Sequence, residues 1–185
     1  MGKRSNFERI PRDFYPTPEK AALPLLPHLP PSSTFCEPCA GAGDLANILT
    51  SHGHTCVQMT DVEIRTDNVR LADAREYSPP PAAELCITNP PWERKTLHAI
   101  IANLSAHRPT WLLFDADWMH TQQSQPYTDK LSKIVSVGRV KWIAGSAHTG
   151  KDNCAWHLFE PNPAGPTQFY GRTDDQTATP RKDQP

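Results

Sequence analysis

The residues best placed to do chemistry are Asn89, Pro90, Pro91 and Trp92, at the end of the run Leu85-Cys86-Ile87-Thr88. The run is apolar and partly β-branched, which predicts a buried strand. Two prolines in succession lack backbone donors and hold φ near about −65°, so the strand must stop and the turn after it is rigid. A carboxamide, a preset turn and a large aromatic side chain therefore meet at the carboxyl end of a strand. Open α/β sheets bind their ligands at that edge. Taken alone, the same residues also fit a loop signal with a core tryptophan after it.

Charge supports a ligand-binding reading. The chain carries 19 Lys and Arg against 20 Asp and Glu, a net of −1, so no global field points to a polyanion or a membrane. The sign is segregated, however. From Glu37 to Glu93 nine acids face three arginines, a net of −6. From Thr128 to Lys151, five cations (Lys130, Lys133, Arg139, Lys141 and Lys151) face Asp129 alone, a net of +4. The first twelve residues add +3 from four cations and one acid. An acidic centre with basic flanks suits a small cationic ligand beside a polyanionic one.

Other constellations are weaker. Cys36 and Cys39 form a C-x-x-C, but no second pair or histidine cluster stands at zinc spacing, and no metal is expected. Five cysteines is an odd count without disulfide-like spacing, which predicts a reducing compartment. No apolar run follows the basic start and none approaches about 18 residues, so neither a signal peptide nor a membrane span is expected, and the chain reads as cytoplasmic. Asp115 and Asp117 could serve acid/base or metal chemistry, although strand-end carboxylates usually face solvent.

The elements that must position these residues alternate. Residues 1–12 are basic and read as a flexible arm, 13–160 as one domain of ordinary size, and 161–185, rich in Pro, Thr, Asp and Gly, as a disordered tail. Asp13 to Pro18 suits a fixed extended segment. Thr17 can cap a helix starting at Pro18, which Pro24 and Pro27 should shorten. Thr34 to Glu37 reads as a strand entering Pro38-Cys39-Ala40-Gly41-Ala42-Gly43-Asp44, with Asp44 capping a helix that Gly53 ends. Cys56 to Thr60 is a second strand ending at Asp61, eighteen residues after Gly43, about the spacing of an acid that grips ribose hydroxyls. Val69 to Ala74 is a short third strand with Asp73 near its end. The Asn-Pro-Pro-Trp strand is the fourth, followed by a helix from Arg94 to Leu104 with Leu97, Ile100, Ile101 and Leu104 on one face. Thr110 to Phe114 is the fifth strand, and Ile134 to Val140 and Cys154 to Phe159 read as an antiparallel edge pair. Together these predict a doubly wound, mostly parallel, seven-stranded Rossmann-like sheet.

On that frame the order of motifs resembles the class I S-adenosylmethionine (SAM)-dependent methyltransferases, and within them small adenine-N6 methyltransferases of the kind common in phages and prophages. Tyr15-Pro16-Thr17-Pro18 is similar to that family's amino-terminal cofactor segment, and Glu37-Pro38-Cys39-Ala40-Gly41-Ala42-Gly43 to its glycine motif, with Ala40 where the family more often has glycine. Asn89-Pro90-Pro91-Trp92 matches its catalytic tetrapeptide. The resemblance implies SAM as cofactor, held by Tyr15, Pro16, Thr17, Glu37, Pro38, Cys39, Ala40, Gly41, Gly43, Asp44, Asp61, Val62, Asp73 and Ala74. It implies that the Asn89 side-chain oxygen and the Pro90 carbonyl accept hydrogen bonds from an exocyclic amine while Trp92 stacks on a base flipped out of its helix. Lys130, Lys133, Arg139, Lys141, His148, Lys151 and Asn153 are then candidates for substrate contact, the cations through phosphates. The implied partner is nucleic acid, DNA first, in a bacterial or phage-infected cytoplasm, with a homodimer left open. The same tetrapeptide serves cytosine N4, RNA bases and glutamine amides. A non-catalytic binding protein that kept the fold is the alternative of a different class. A dinucleotide-dependent oxidoreductase is disfavoured, because Ala46 stands where the third glycine would be.

Overall fold

A computed structural model describes residues 14–143 and 149–172. Eight strands form one sheet: β1 (Thr34–Glu37), β2 (Thr55–Asp61), β3 (Val69–Leu71), β4 (Leu85–Thr88), β5 (Thr110–Asp115), β6 (Leu131–Arg139), β7 (Asn153–Phe159) and β8 (Gln168–Tyr170). Their order is β3-β2-β1-β4-β5-β7-β6-β8. Every neighbouring pair is parallel except the two that β7 makes, with β5 and with β6. The order reverses between β1 and β4, which opens a crevice at their carboxyl ends.

Among the described residues, three helices and three 3₁₀ turns cover the two faces. On one face, α1 (Glu19–Ala22), the 3₁₀ turn Leu23–His28 and α2 (Asp44–Ser51) bury Ala21, Leu25, Leu45 and Leu49 against Phe35, Ile87, Trp111 and Leu113. The Trp156 indole donates to the Ala21 carbonyl at 2.8 Å, which fixes the end of α1 on the sheet. On the other face, α3 (Arg94–His107) and the 3₁₀ turn Ala116–His120 bury Leu97, Ile101, Leu104 and Trp118 against Cys36, Cys86, Leu112 and Phe114. β4 is buried along its whole length, as a strand covered on both faces should be.

The doubly wound parallel frame stands as expected, with four differences. The sheet has eight strands, not seven: β8 pairs with β6 and extends the described fold past the boundary expected at residue 160. Its Phe169 and Tyr170 supply apolar side chains that a composition count over 161–185 averages away. The β6–β7 pair is not at the edge, because β7 is buried at six of its seven positions and therefore sits between β5 and β6. The first helix lasts one turn, since Pro24 and Pro27 force the tighter 3₁₀ form, and Pro18, not Thr17, stands at its N-cap. Finally, Gly43 occupies the α2 N-cap with φ +90°, placing Asp44 in the first turn. No helix among the described residues is long and apolar enough to cross a membrane.

His157 is a fully buried polar side chain of the core. It lies on β7, stacked on Phe114 at 3.9 Å, and neither ring nitrogen has a hydrogen-bond partner. Burial pushes its pKa from 6.5 down to about 3. A base depressed in the folded state contributes stability that is full above pH 6.5 and is lost as pH falls towards 3. Denaturant unfolding at pH 8 and pH 5 should differ by about 2 kcal/mol more in the wild type than in His157→Leu, which has nothing to titrate there.

Candidate functional site

The crevice between β1 and β4 holds a cavity of about 690 Å³. Its floor is the turn after β1. There Gly41 and Gly43 have φ of +55° and +90°, conformations that a side chain would strain. The turn is pinned from both neighbours: Ala40 N–H donates to the Thr60 carbonyl of β2 at 2.9 Å, and Cys39 N–H to the Thr88 hydroxyl of β4 at 3.1 Å. Glu37 closes its start. The side chain is buried and its Oε2 accepts from the Ala46 N–H, one of the unpaired amides in the first turn of α2, at 3.0 Å. Burial raises the Glu37 pKa well above the usual carboxylate value, and nearby Asp44 and Asp61 add to the rise. Burial likewise raises the Cys39 thiol, which is no nucleophile.

The acids after β2 and β3 line the cavity with Val62 and Ala74, and both already have partners. Asp61 accepts from the Gly41 N–H at 2.9 Å and from the Glu63 N–H at 3.0 Å, so it braces the glycine turn itself. Asp73 sits just past β3 and chelates the Arg75 guanidinium, which lowers its pKa. Arg65 stacks at 3.9 Å on the ring of Phe14, and that ring lies against Gly41.

The roof comes from the amino-terminal segment. Tyr15, Pro16 and Thr17 line the cavity opposite the turn. The Asn89 carboxamide nitrogen donates to the Thr17 hydroxyl at 3.2 Å and to the Tyr15 carbonyl at 3.4 Å. A carbonyl can only accept, so this contact fixes which way the amide is turned. No described residue donates to Asn89 Oδ1, which remains the free acceptor on a residue that lines the cavity. Pro91 lines it too, whereas Pro90 is buried behind it. The Trp92 indole donates to the Leu113 carbonyl of β5 at 3.2 Å and meets Trp142 edge-on. Glu93 caps α3 by accepting from the Lys95 and Thr96 amides, which lower its pKa. Asp115 is ion-paired with Arg94 at 2.8 Å, so the Asp115/Asp117 pair is not a free acid/base couple.

All the expected cofactor residues line this cavity except Pro38 and Gly43, which are buried beneath it. The expected substrate set divides. Lys130 and Lys133 stand at the start of β6, which runs parallel to β5, and so lie at the sheet edge opposite Asn89. They do not share an edge with Asn89. Arg139, Lys141, Lys151 and Asn153 are exposed at the carboxyl edge, level with the end of β5, but do not line the cavity. His148 lies outside the described residues. Phe14, Arg65, Arg75 and Trp142 were not foreseen. The two arginines had a signal, each standing two residues after an acid it pairs with (Glu63 and Asp73). Trp142 had none.

The lining holds five carboxylates, Glu37, Asp44, Asp61, Asp73 and Glu93, against Arg65 and Arg75. The arrangement can hold a cation-bearing ligand against a close-approach backbone turn and offer one amide oxygen to its neighbour. Gly41→Ala tests the turn: its Cβ would lie 2.6 Å from Phe14 Cε2 at a positive φ. Melting should show a loss of about 1–3 kcal/mol, with Phe14→Ala relieving part of it in the double variant.

No family model and no curated protein matches the chain. Solved structures do. The fold is similar to a candidate RNA methyltransferase from Pyrococcus horikoshii, with TM-score 0.60, 14% identity, and 86% of this chain and 93% of that one covered. It is similar to a dimethyladenosine transferase from Plasmodium falciparum (TM-score 0.54, 16% identity), covering 79% of this chain and spanning 62% of that enzyme's length. It is also similar to the M protein of the type I restriction enzyme EcoKI (TM-score 0.53, 13% identity), with 85% of this chain and 48% of that one covered. In strand order, in its single reversed strand and in these likenesses, the chain has the Rossmann-like fold of the class I methyltransferases.

Proposed function

We propose that the protein is a SAM-dependent methyltransferase acting on the exocyclic amine of a nucleobase, adenine N6 of DNA in the first place. The observation that carries this reading is the orientation of Asn89. Its nitrogen is committed to Tyr15 and Thr17, which leaves Oδ1 as an acceptor at the cavity wall. A planar amine held by that oxygen and by the Pro90 carbonyl would be stripped of alternative orientations. Its lone pair would face the methyl donor, and the positive charge growing on nitrogen would meet two oxygen dipoles.

The cavity fits SAM by the chemistry of its donors. Gly41 lines the cavity with the Phe14 ring packed against it, and the carboxylate-rich lining suits a sulfonium and an ammonium. When bound, SAM supplies an electrophilic methyl group. Asp61 keeps spare lone pairs for ribose hydroxyls while bracing Gly41, and the Arg75–Asp73 pair borders the far end. Nucleic acid as partner is supported by Arg139, Lys141 and Lys151 at the same edge, and by what two of the similar structures are named for, a dimethyladenosine transferase and the M protein of a type I restriction enzyme. Five free cysteines suit a reducing cytoplasm, bacterial or phage-infected.

Labelled methyl transfer from SAM into unmodified DNA, followed by digestion to nucleosides, should yield N6-methyladenine. Asn89→Ala should lower kcat about 100-fold or more, and Thr17→Val, which frees the amide to rotate, about tenfold. N4-methylcytosine, or label only in RNA bases, would overturn the adenine-in-DNA part and keep the nucleobase amine, whereas label only in protein would overturn the nucleobase as well. No heat of SAM binding at about millimolar ligand would overturn the enzyme itself in favour of a binding protein that kept the fold.

A further inference from the structure

We infer that Trp142 is a positioning residue that joins the substrate-side hairpin to the Asn89–Trp92 corner; this rests on the methyl-transfer reading above. The strand alternation of β6 continues beyond its last ladder residue. Val140 is buried and Trp142 half-buried, while Arg139, Lys141 and Ile143 are exposed. A bulge at Ser136/Gly138, with Gly138 at φ +82°, re-aims the strand just before this stretch. One further rung holds it, from the Gly150 N–H to the Val140 carbonyl at 2.8 Å. Gly150 passes so close that a Cβ there would lie 3.3 Å from Trp142 Cδ1 and 3.0 Å from that carbonyl.

The indole is thereby directed at two rings. It meets Trp92 edge-on, with centroids 5.8 Å apart and planes at 88°, and Tyr15 at 6.3 Å and 57°. Each of these rings is tied to the reacting corner. Tyr15 holds the Asn89 nitrogen through its carbonyl, and Trp92 ends the tetrapeptide and is tied to Leu113. Trp142 thus closes a loop of contacts running Asn89, Tyr15, Trp142, Trp92 and back through the two prolines. The exposed cations Arg139, Lys141 and Lys151 flank it on the hairpin. A polynucleotide backbone gripped there presses on the hairpin, and the indole transmits that grip to the amide that orients the amine. Trp142 itself need not touch the base.

Two readouts test this, one independent of activity. In Trp142→Ala the Trp92 indole N–H, resolved by NMR and assigned with Trp92→Phe, should exchange with solvent about tenfold faster, and Trp142→Phe should restore most of the protection. With SAM and DNA, Trp142→Ala should lower kcat about tenfold while the KM for DNA changes less than about threefold, and Trp142→Phe should recover most of kcat. Unchanged exchange overturns the proposal, as does a raised KM with kcat kept, which would make Trp142 a direct substrate contact. Should Trp142→Ala not fold, Trp142→Phe against Trp142→Leu carries the same comparison, ring kept against ring lost. If the wild type transfers no methyl group to any acceptor, the enzymatic reading fails, and the exchange data still decide whether Trp142 holds Trp92.

Discussion

The site depends on one side-chain amide being held by a segment more than seventy residues away. Asn89 donates to the Tyr15 carbonyl and the buried Thr17 hydroxyl, contacts spanning 74 and 72 positions of sequence. Without them a carboxamide at a strand end rotates freely, and its oxygen and nitrogen compete to face a ligand. With them, only the oxygen remains. The same two bonds fasten the 14–18 segment across the crevice, so the roof of the cavity and the polarity of its reactive wall are set by a single interaction. Pro90 and Pro91 perform the complementary task from within the chain, fixing the backbone where Asn89 leaves β4.

The floor follows the same logic with backbone groups. Gly41 and Gly43 let the turn bend, but flexibility alone would leave it floppy. Its amides are therefore assigned: Cys39 to Thr88, Ala40 to Thr60 and Gly41 to Asp61. β1 lies between β2 and β4 in the sheet, so each neighbour contributes one side of the clamp. Parallel order makes this possible, because all three strands deliver their carboxyl ends to the same edge.

Much of this was legible in the sequence where the signal is local. Thr34 to Glu37 and Leu85 to Thr88 are short apolar runs closed by breakers, and both strands fall at those residues. Two of the motifs that line the cavity, the glycine turn and Asn89–Trp92, sit at strand ends, and strand ends are what periodicity and prolines mark best. What was illegible depends on strand direction and order. Lys130 and Lys133 share a charge run with Arg139 and Lys141, yet β6 carries the first two to the wrong edge. A run of like charges has no direction until the sheet supplies one. Trp142 and β8 escaped for a related reason: each matters through a partner far along the chain, Tyr15 and Trp92 for the first and β6 for the second. Asp61 was marked by its spacing and Asp73 by its place at a strand end, but neither signal could say that backbone amides and Arg75 already engage them.

That engagement answers how five carboxylates share one cavity without forcing it open. Each is compensated by a different means. Glu37 is buried among other acids and is raised towards its neutral form. Asp61 rests on two backbone amides, and Asp73 on a guanidinium that holds its pKa down. Glu93 draws on the amides at the start of α3, and Asp44 stands in the first turn of α2, where the helix dipole favours an anion. The compensation is partial by design of geometry, since an amide leaves a carboxylate its charge and a spare lone pair. An arriving cation then meets an attractive field that the empty protein can tolerate, and most of that field is fixed before the ligand arrives. Glu37 is the member that burial holds towards its neutral form.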